Sequence, residues 1–115
     1  MNRISIVIPM FNEARHIGRT LLAAQKAADA ANLECELIVV DNGSSDQGPQ
    51  IARQFGAQVL VLPGVLIGAL RNHGTAIATG EWLAFLDADV EMPEDWLTLV
   101  LGIESGSGPK CSAWT

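Results

Sequence analysis

Cysteine is nearly absent. There are two, Cys35 and Cys111, far apart, with no second Cys or His at metal-ligand spacing. That excludes a disulfide framework and a zinc module, and the pair reads as reduced thiols of a cytoplasmic protein. Basic residues are also few, 7 against 13 acidic ones, for a net charge of −6. Neutralising a nucleic-acid backbone needs a basic face, so nucleic acid is excluded as the main partner. A single nucleotide stays open, because it needs only a local site and a metal. No run of about 20 apolar residues exists, so no transmembrane segment is expected in this chain. Asn12, Glu13 and Arg15 interrupt any apolar N-terminal run, which argues against a signal peptide.

What the chain does have is a core. Of its 115 residues, 49% are apolar and 17% charged, the balance of a globular protein. The length suits one domain or part of one, able to bury roughly two-thirds of its unfolded surface. Four short apolar runs read as buried strands: Ile4–Ile8, ended by Pro9; Leu37–Val40; Val59–Leu62; and Trp82–Leu86. Between them lie helical patterns. Glu13 to Ala31 carries Ile17, Leu21, Leu22, Ala24, Ala28 and Ala31 at helical spacing. Gln50 to Phe55 and Val65 to Thr79 follow, and Pro93 suits the first turn of a helix through Trp96, Leu97 and Val100. Strand–helix alternation predicts an α/β fold with a mainly parallel sheet and helices on both faces. After Gly102 the text turns rich in Ser, Gly and Pro, so 104–115 is expected to be a loose or non-native tail.

Three strand ends carry polar chemistry on one edge of that sheet: Pro9-Met10-Phe11-Asn12-Glu13, Asp41-Asn42-Gly43-Ser44-Ser45-Asp46 and Asp87-Ala88-Asp89. Ligands of open parallel sheets bind beyond the carboxyl ends of the strands. Two carboxylates ~5 Å apart at an effective dielectric of ~20 repel by roughly 3 kcal/mol. A cation between Asp87 and Asp89 reverses that sign, and oxygen donors of this kind suit Mg²⁺ or Mn²⁺. The bland reading of each stretch is an acidic turn or an Asx-turn with a helix cap, which explains Asp46 better than Asp41. Asp41 is placed to accept from a base N–H, with Asn42 shaping the rim. On the next helix, Leu66, Leu70, His73 and Ile77 are assigned to one side. Gly68, Arg71, Asn72, Thr75 and Thr79 fall on the other, where the helical glycines suggest close backbone approach by a diphosphate beside Arg71. His73 is read as a packed residue and Glu13 as a cap or hydrogen-bonding group.

These four motifs, including Gly68-Ala69-Leu70-Arg71-Asn72-His73-Gly74, resemble the family 2 glycosyltransferases of the GT-A fold across Ile4 to Leu101. The resemblance implies a Rossmann-like nucleotide-diphospho-sugar transferase fold. It also implies metal-dependent, inverting transfer from an NDP-sugar, most often UDP-linked, to a saccharide, lipid or protein acceptor. Asp41 would hold the base, Arg71 the diphosphate or nearby nucleotide, Asp87 the ribose, and Asp89, with Asp87, the Mn²⁺ or Mg²⁺. Pro9, Asn12, Glu13, Asn42, Gly68, Asn72 and Ala88 would complete the substrate-binding set. Asn42 stands where the family often has a second acid. The family's catalytic domain continues about a hundred residues past its Asp-x-Asp, so 1–103 reads as the donor-binding half of a truncated domain. No carboxylate between Val90 and Thr115 is assigned as the acceptor base. A nucleotide-sugar-binding module without independent transfer is therefore the alternative. A receiver domain would need an acidic pair after strand one, where this chain has Phe11-Asn12-Glu13, and a lysine at a late strand end, where Lys110 does not lie; neither a Gly-x-Gly-x-x-Gly nor a P-loop is present. The expected location is cytoplasmic, extending to the cytoplasmic face of a membrane for a longer chain, and a homodimer would cover an exposed sheet edge.

Overall fold

A computed structural model describes residues 3–101 and 111–113. Its elements run β1 (Arg3–Met10), α1 (Ala14–Ala30), β2 (Glu34–Asp41), α2 (Gly48–Gln54), β3 (Gln58–Val61), α3 (Ile67–Ile77), β4 (Trp82–Phe85), α4 (Trp96–Leu101) and β5 (Cys111–Ala113). The strands form one parallel sheet in the order β3-β2-β1-β4-β5. The chain steps outward from β1 to β3, then α3 carries it back past β1 to β4. Right-handed crossovers put helices on opposite faces when the direction of stepping reverses. Accordingly Ile4, Ile6, Ile8, Leu37, Val39 and Ala84 pack with Ile17, Leu21 and Leu97 from α1 and α4 on one face. Val7, Ile38 and Val40 pack with Leu70 of α3 on the other. The strict alternation along β1 and β2 is the period of two that a sheet buried on both sides requires.

Several expectations shift. β1 runs through Pro9 to Met10. In a parallel strand alternate residues address opposite neighbours, and Val7 and Pro9 both address β4. The Leu86 amide donates to the Val7 carbonyl (3.1 Å), one step past the last paired residue of β4. Pro9 therefore lacks an N–H where no partner strand remains, and it costs no ladder bond. On α1 the buried stripe is Ile17, Thr20, Leu21, Ala24, Ala27 and Ala28, while Leu22 is 43% exposed. Leu22 is one residue, about 100°, off the stripe that Leu21 occupies. The tail expected over 104–115 contains β5, which pairs Cys111–Ala113 with Leu83–Phe85; its remaining residues lie outside those described. No helix of the described residues is long and apolar enough to cross a membrane.

Candidate functional site

Because β1 and β4 part company after Val7 and Phe85, a crevice opens where helices switch faces. That is the topological switch point of an open α/β sheet. A cavity of about 250 Å³ fills it, lined by Pro9, Met10, Phe11, Glu13, Asn42, Leu70, Arg71, Asp87, Ala88 and Asp89. Parallel pairing puts the ends of β2 and β4 on the same sheet edge, so Asp41 and Asp87 share it as expected.

The floor and loops are built by short-range hydrogen bonding. Asp41 is wholly buried, and its Oδ2 accepts from the amides of Gly43 (3.1 Å) and Ser44 (2.9 Å). Its Oδ1 accepts from the Ser44 hydroxyl. Gly43 sits at φ +90°, a conformation glycine adopts without penalty. Asp41 is thus the hub of the Asx-turn that the sequence reading credits mainly to Asp46. It does not line the cavity, and the neighbouring Asn42 does. Asn12, at φ +53°, laces this turn to the β1–α1 loop. Its amide donates to Ser44 Oγ (2.8 Å), and its Oδ1 accepts from the Ser45 amide (2.8 Å). Asp46 joins two helix starts: Oδ1 accepts from the Gly48 amide of α2 (2.9 Å) and Oδ2 from the Ala14 amide of α1 (3.0 Å). A carboxylate there satisfies orphan donors and faces two positive dipole ends.

The Asp87–Ala88–Asp89 turn is held from behind. The Ala88 side chain is buried, the Val90 amide donates to the Asp87 carbonyl (3.1 Å), and the buried Thr20 hydroxyl donates to the Ala88 carbonyl (2.7 Å). Asp87 and Asp89 both line the cavity. Arg71 Nη2 lies 3.6 Å from Asp87 Oδ1, in a half-exposed pair. Glu13 Oε1 meets His16 Nδ1 at 2.9 Å, and the Glu13 carbonyl opens α1 by accepting from the His16 and Ile17 amides.

Two polar atoms of the cavity residues are buried with no partner among the described residues: the Asn42 Oδ1 acceptor and the Arg71 Nε donor. Arg3 Nε and Trp82 Nε1, outside the cavity lining, share that state. Asp87 and Asp89 add hard oxygen donors. Among the described residues no three His, Cys, Asp or Glu side chains could hold a metal together. Two carboxylates without a third suit Mg²⁺ or Mn²⁺ shared with phosphate oxygens and water.

α3 departs most from its expected faces. Leu70, Gly74 and Ile77 turn toward the sheet, whereas His73 is exposed and Leu66 is 81% exposed. The close approach expected of the helical glycines belongs to Gly74 alone. A Cβ there would lie 2.4 Å from Val7 Cγ1, so the approach is helix to sheet. Gly68 has open space around it, and neither Gly68 nor Asn72 lines the cavity. Glu91 and Glu94 line a different cavity, with Arg19 and Lys26 of α1. The sequence pattern marks Leu70 as an apolar helix residue only and does not mark Met10, Phe11 or Thr20 as part of a site. Phe11 and Met10 sit inside a quoted motif, but nothing in the pattern marks Thr20.

The model of the family described as "Glycosyl transferase family 2" matches residues 5–103. Glycosyltransferase AglE of Haloferax volcanii is 37% identical over 112 residues, covering 91% of this chain and 36% of that protein. The S. aureus TarS 1–349 crystal structure in complex with UDP-GlcNAc is similar at 27% identity and TM-score 0.68, over 84% of this chain and 29% of that one. Glucosyl-3-phosphoglycerate synthase from Mycobacterium tuberculosis, in complex with Mn²⁺, UDP and glucosyl-3-phosphoglycerate, matches at 26% identity and TM-score 0.69, over 92% and 40%. The chain spans about a third of the length of the curated relatives it matches.

Proposed function

Because the chain belongs to glycosyl transferase family 2, we propose that it forms the donor side of a sugar transfer from a nucleoside diphosphate sugar, with UDP as the nucleotide. The observation that carries this reading is the switch-point cavity, where the orphaned Asn42 Oδ1 and Arg71 Nε stand beside Asp87 and Asp89. The imide edge of uracil pairs a donor with an acceptor, the complement of a side-chain amide such as that of Asn42. Asp41 supports the base from below by fixing the turn that carries Asn42. Pro9, Met10 and Leu70 give the base an apolar bed. The UDP-bound relatives support the choice of nucleotide.

Asp87 and Asp89 would hold a divalent cation, and the Mn²⁺ in a related complex supports that assignment. The chemistry such an ion supplies is neutralisation of charge on the departing diphosphate. Arg71 orients Asp87 and offers the diphosphate a positive charge. Three carboxylates line the cavity: Glu13 meets His16, Asp87 meets Arg71, and Asp87 and Asp89 are the pair that would hold the metal. Inversion by direct displacement is the reading that membership of the family supports. The base that deprotonates the acceptor is not assigned among these residues. A cytoplasmic setting fits a nucleotide-sugar donor, and a second copy covering an exposed sheet edge is the assembly reading.

Calorimetric titration tests the proposal. UDP should bind in the presence of Mn²⁺ and lose most of its affinity when the metal is chelated. Equal affinity with and without chelator refutes the metal assignment. No binding of UDP under either condition refutes the donor site.

A further inference from the structure

α1 turns a single hydroxyl into the apolar stripe it packs on the sheet. Thr20 is fully buried, and its neighbours on that stripe are Ile17, Leu21 and Ala24. A helical threonine ordinarily spends its one proton on the carbonyl a turn earlier. Thr20 instead donates across 68 residues of sequence to the Ala88 carbonyl, at 2.7 Å. We propose that Thr20 is the positioning residue for the Asp87–Asp89 carboxylate pair, an inference that rests on the donor-site reading above.

The peptide plane makes the link. The Ala88 carbonyl belongs to the same planar unit as the Asp89 amide, so holding that oxygen fixes the direction in which Asp89 leaves the turn. The preceding peptide is held as well, since the Val90 amide donates to the Asp87 carbonyl. Ala88 is buried against the core, so both peptides and the middle side chain of the turn are anchored. The anchor is itself stiff. α1 is tied at its first residue to Asp46, and the loop before it is laced to Ser44 and Ser45 through Asn12. One helix therefore fixes the acidic turn and the β1–α1 loop as a unit. Without the hydroxyl, the carboxylates would remain present but would no longer be held in a fixed relation for binding a divalent ion.

The test compares Thr20→Val, which keeps the shape and removes the donor, with Thr20→Ser, which keeps the donor. UDP affinity is measured with Mn²⁺ and with chelator, alongside the melting temperature. Thr20→Val should lose about tenfold in affinity with Mn²⁺, the size typical of removing a support behind metal ligands. Its affinity in chelator should not change, and Thr20→Ser should behave as wild type in both. If Thr20→Val does not fold, Thr20→Cys, of similar size and a weak donor, should show the same selective loss. A merely structural hydroxyl would lower the melting temperature and leave the Mn²⁺ enhancement intact, and that result overturns the proposal alone. A wild-type chain with no Mn²⁺ enhancement overturns this proposal and the metal assignment together.

Discussion

Two glycines six residues apart on α3 should respond to alanine with opposite signs. At Gly74 the new Cβ would meet Val7 Cγ1 at 2.4 Å, Val40 Cγ2 at 3.1 Å and Val7 Cγ2 at 3.3 Å. Ordinary contact begins at 3.4 Å, so either α3 lifts by about 1 Å or Val7 leaves its rotamer. Val7 is fully buried and β-branched, which makes the second route poor. Overpacking of this kind costs about 3 kcal/mol at the upper end. The better helix propensity of alanine returns about 1 kcal/mol. The net loss is about 2 kcal/mol, or roughly 8 °C for a domain near this size. At Gly68 nothing lies within 4 Å, so only the propensity term acts, and Gly68→Ala should gain up to about 1 kcal/mol. Lifting α3 also draws Arg71 from Asp87, so Gly74→Ala should weaken UDP binding while Gly68→Ala should not. Scanning calorimetry reads the stabilities directly. A Gly74→Ala chain that melts at or above the Gly68→Ala temperature refutes the packing argument.

Asp46→Ala removes a cap shared by two helices and should cost about 2 kcal/mol in denaturant titration, more than loss of an ordinary single cap. Burial pushes the Glu36 carboxyl up, but bonds from the Ser5 hydroxyl and the Thr79 amide and hydroxyl, with the Arg3 charge, bring it below its ordinary 4.5. Its contribution is therefore present above that pH and lost as the pH falls below it, and Glu36→Gln should flatten the acid limb of a stability profile. The Cys35 thiol is pushed up to about 12 by burial, with the Asp29 and Glu36 charges adding and Arg3 opposing. In a Cys111→Ser background it should resist alkylation at pH 8 until denaturant is added.

Alternating β-branched runs and amphipathic stretches made the sheet and its helices legible, because each pattern has a period that only one structure buries. The common edge of Asp41 and Asp87 was also legible, since parallel strands share a direction. Faces were harder where small residues carry the contact. Gly74 of α3 comes closest to Val7 of β1, and Thr20 of α1 holds the acidic turn, yet neither is a residue that an apolar pattern marks. Reading by apolar period alone therefore puts Leu66 and His73 on the packed side of α3 and Leu22 on the α1 stripe, and all three are exposed. Asp41 and Asp46 follow one motif in sequence but divide its labour by geometry: one closes a turn on itself, the other reaches to a second helix. β5 was missed because three residues amid Ser, Gly and Pro carry no period. Its partner β4 supplies the order.

The central claim is that a nucleotide and a divalent ion meet at the carboxyl ends of β1 and β4. Paramagnetic broadening of backbone amide signals by substoichiometric Mn²⁺ with UDP tests it residue by residue. The account predicts loss of signals around Met10 to Glu13, Asn42 to Ser44, Arg71 and Asp87 to Val90, abolished in Asp89→Asn. Signals from Glu34 to Glu36 and Gly80 to Trp82, at the far edge of the sheet, should persist. Broadening centred on that far edge, or on Arg19, Lys26 and Glu91, would contradict it.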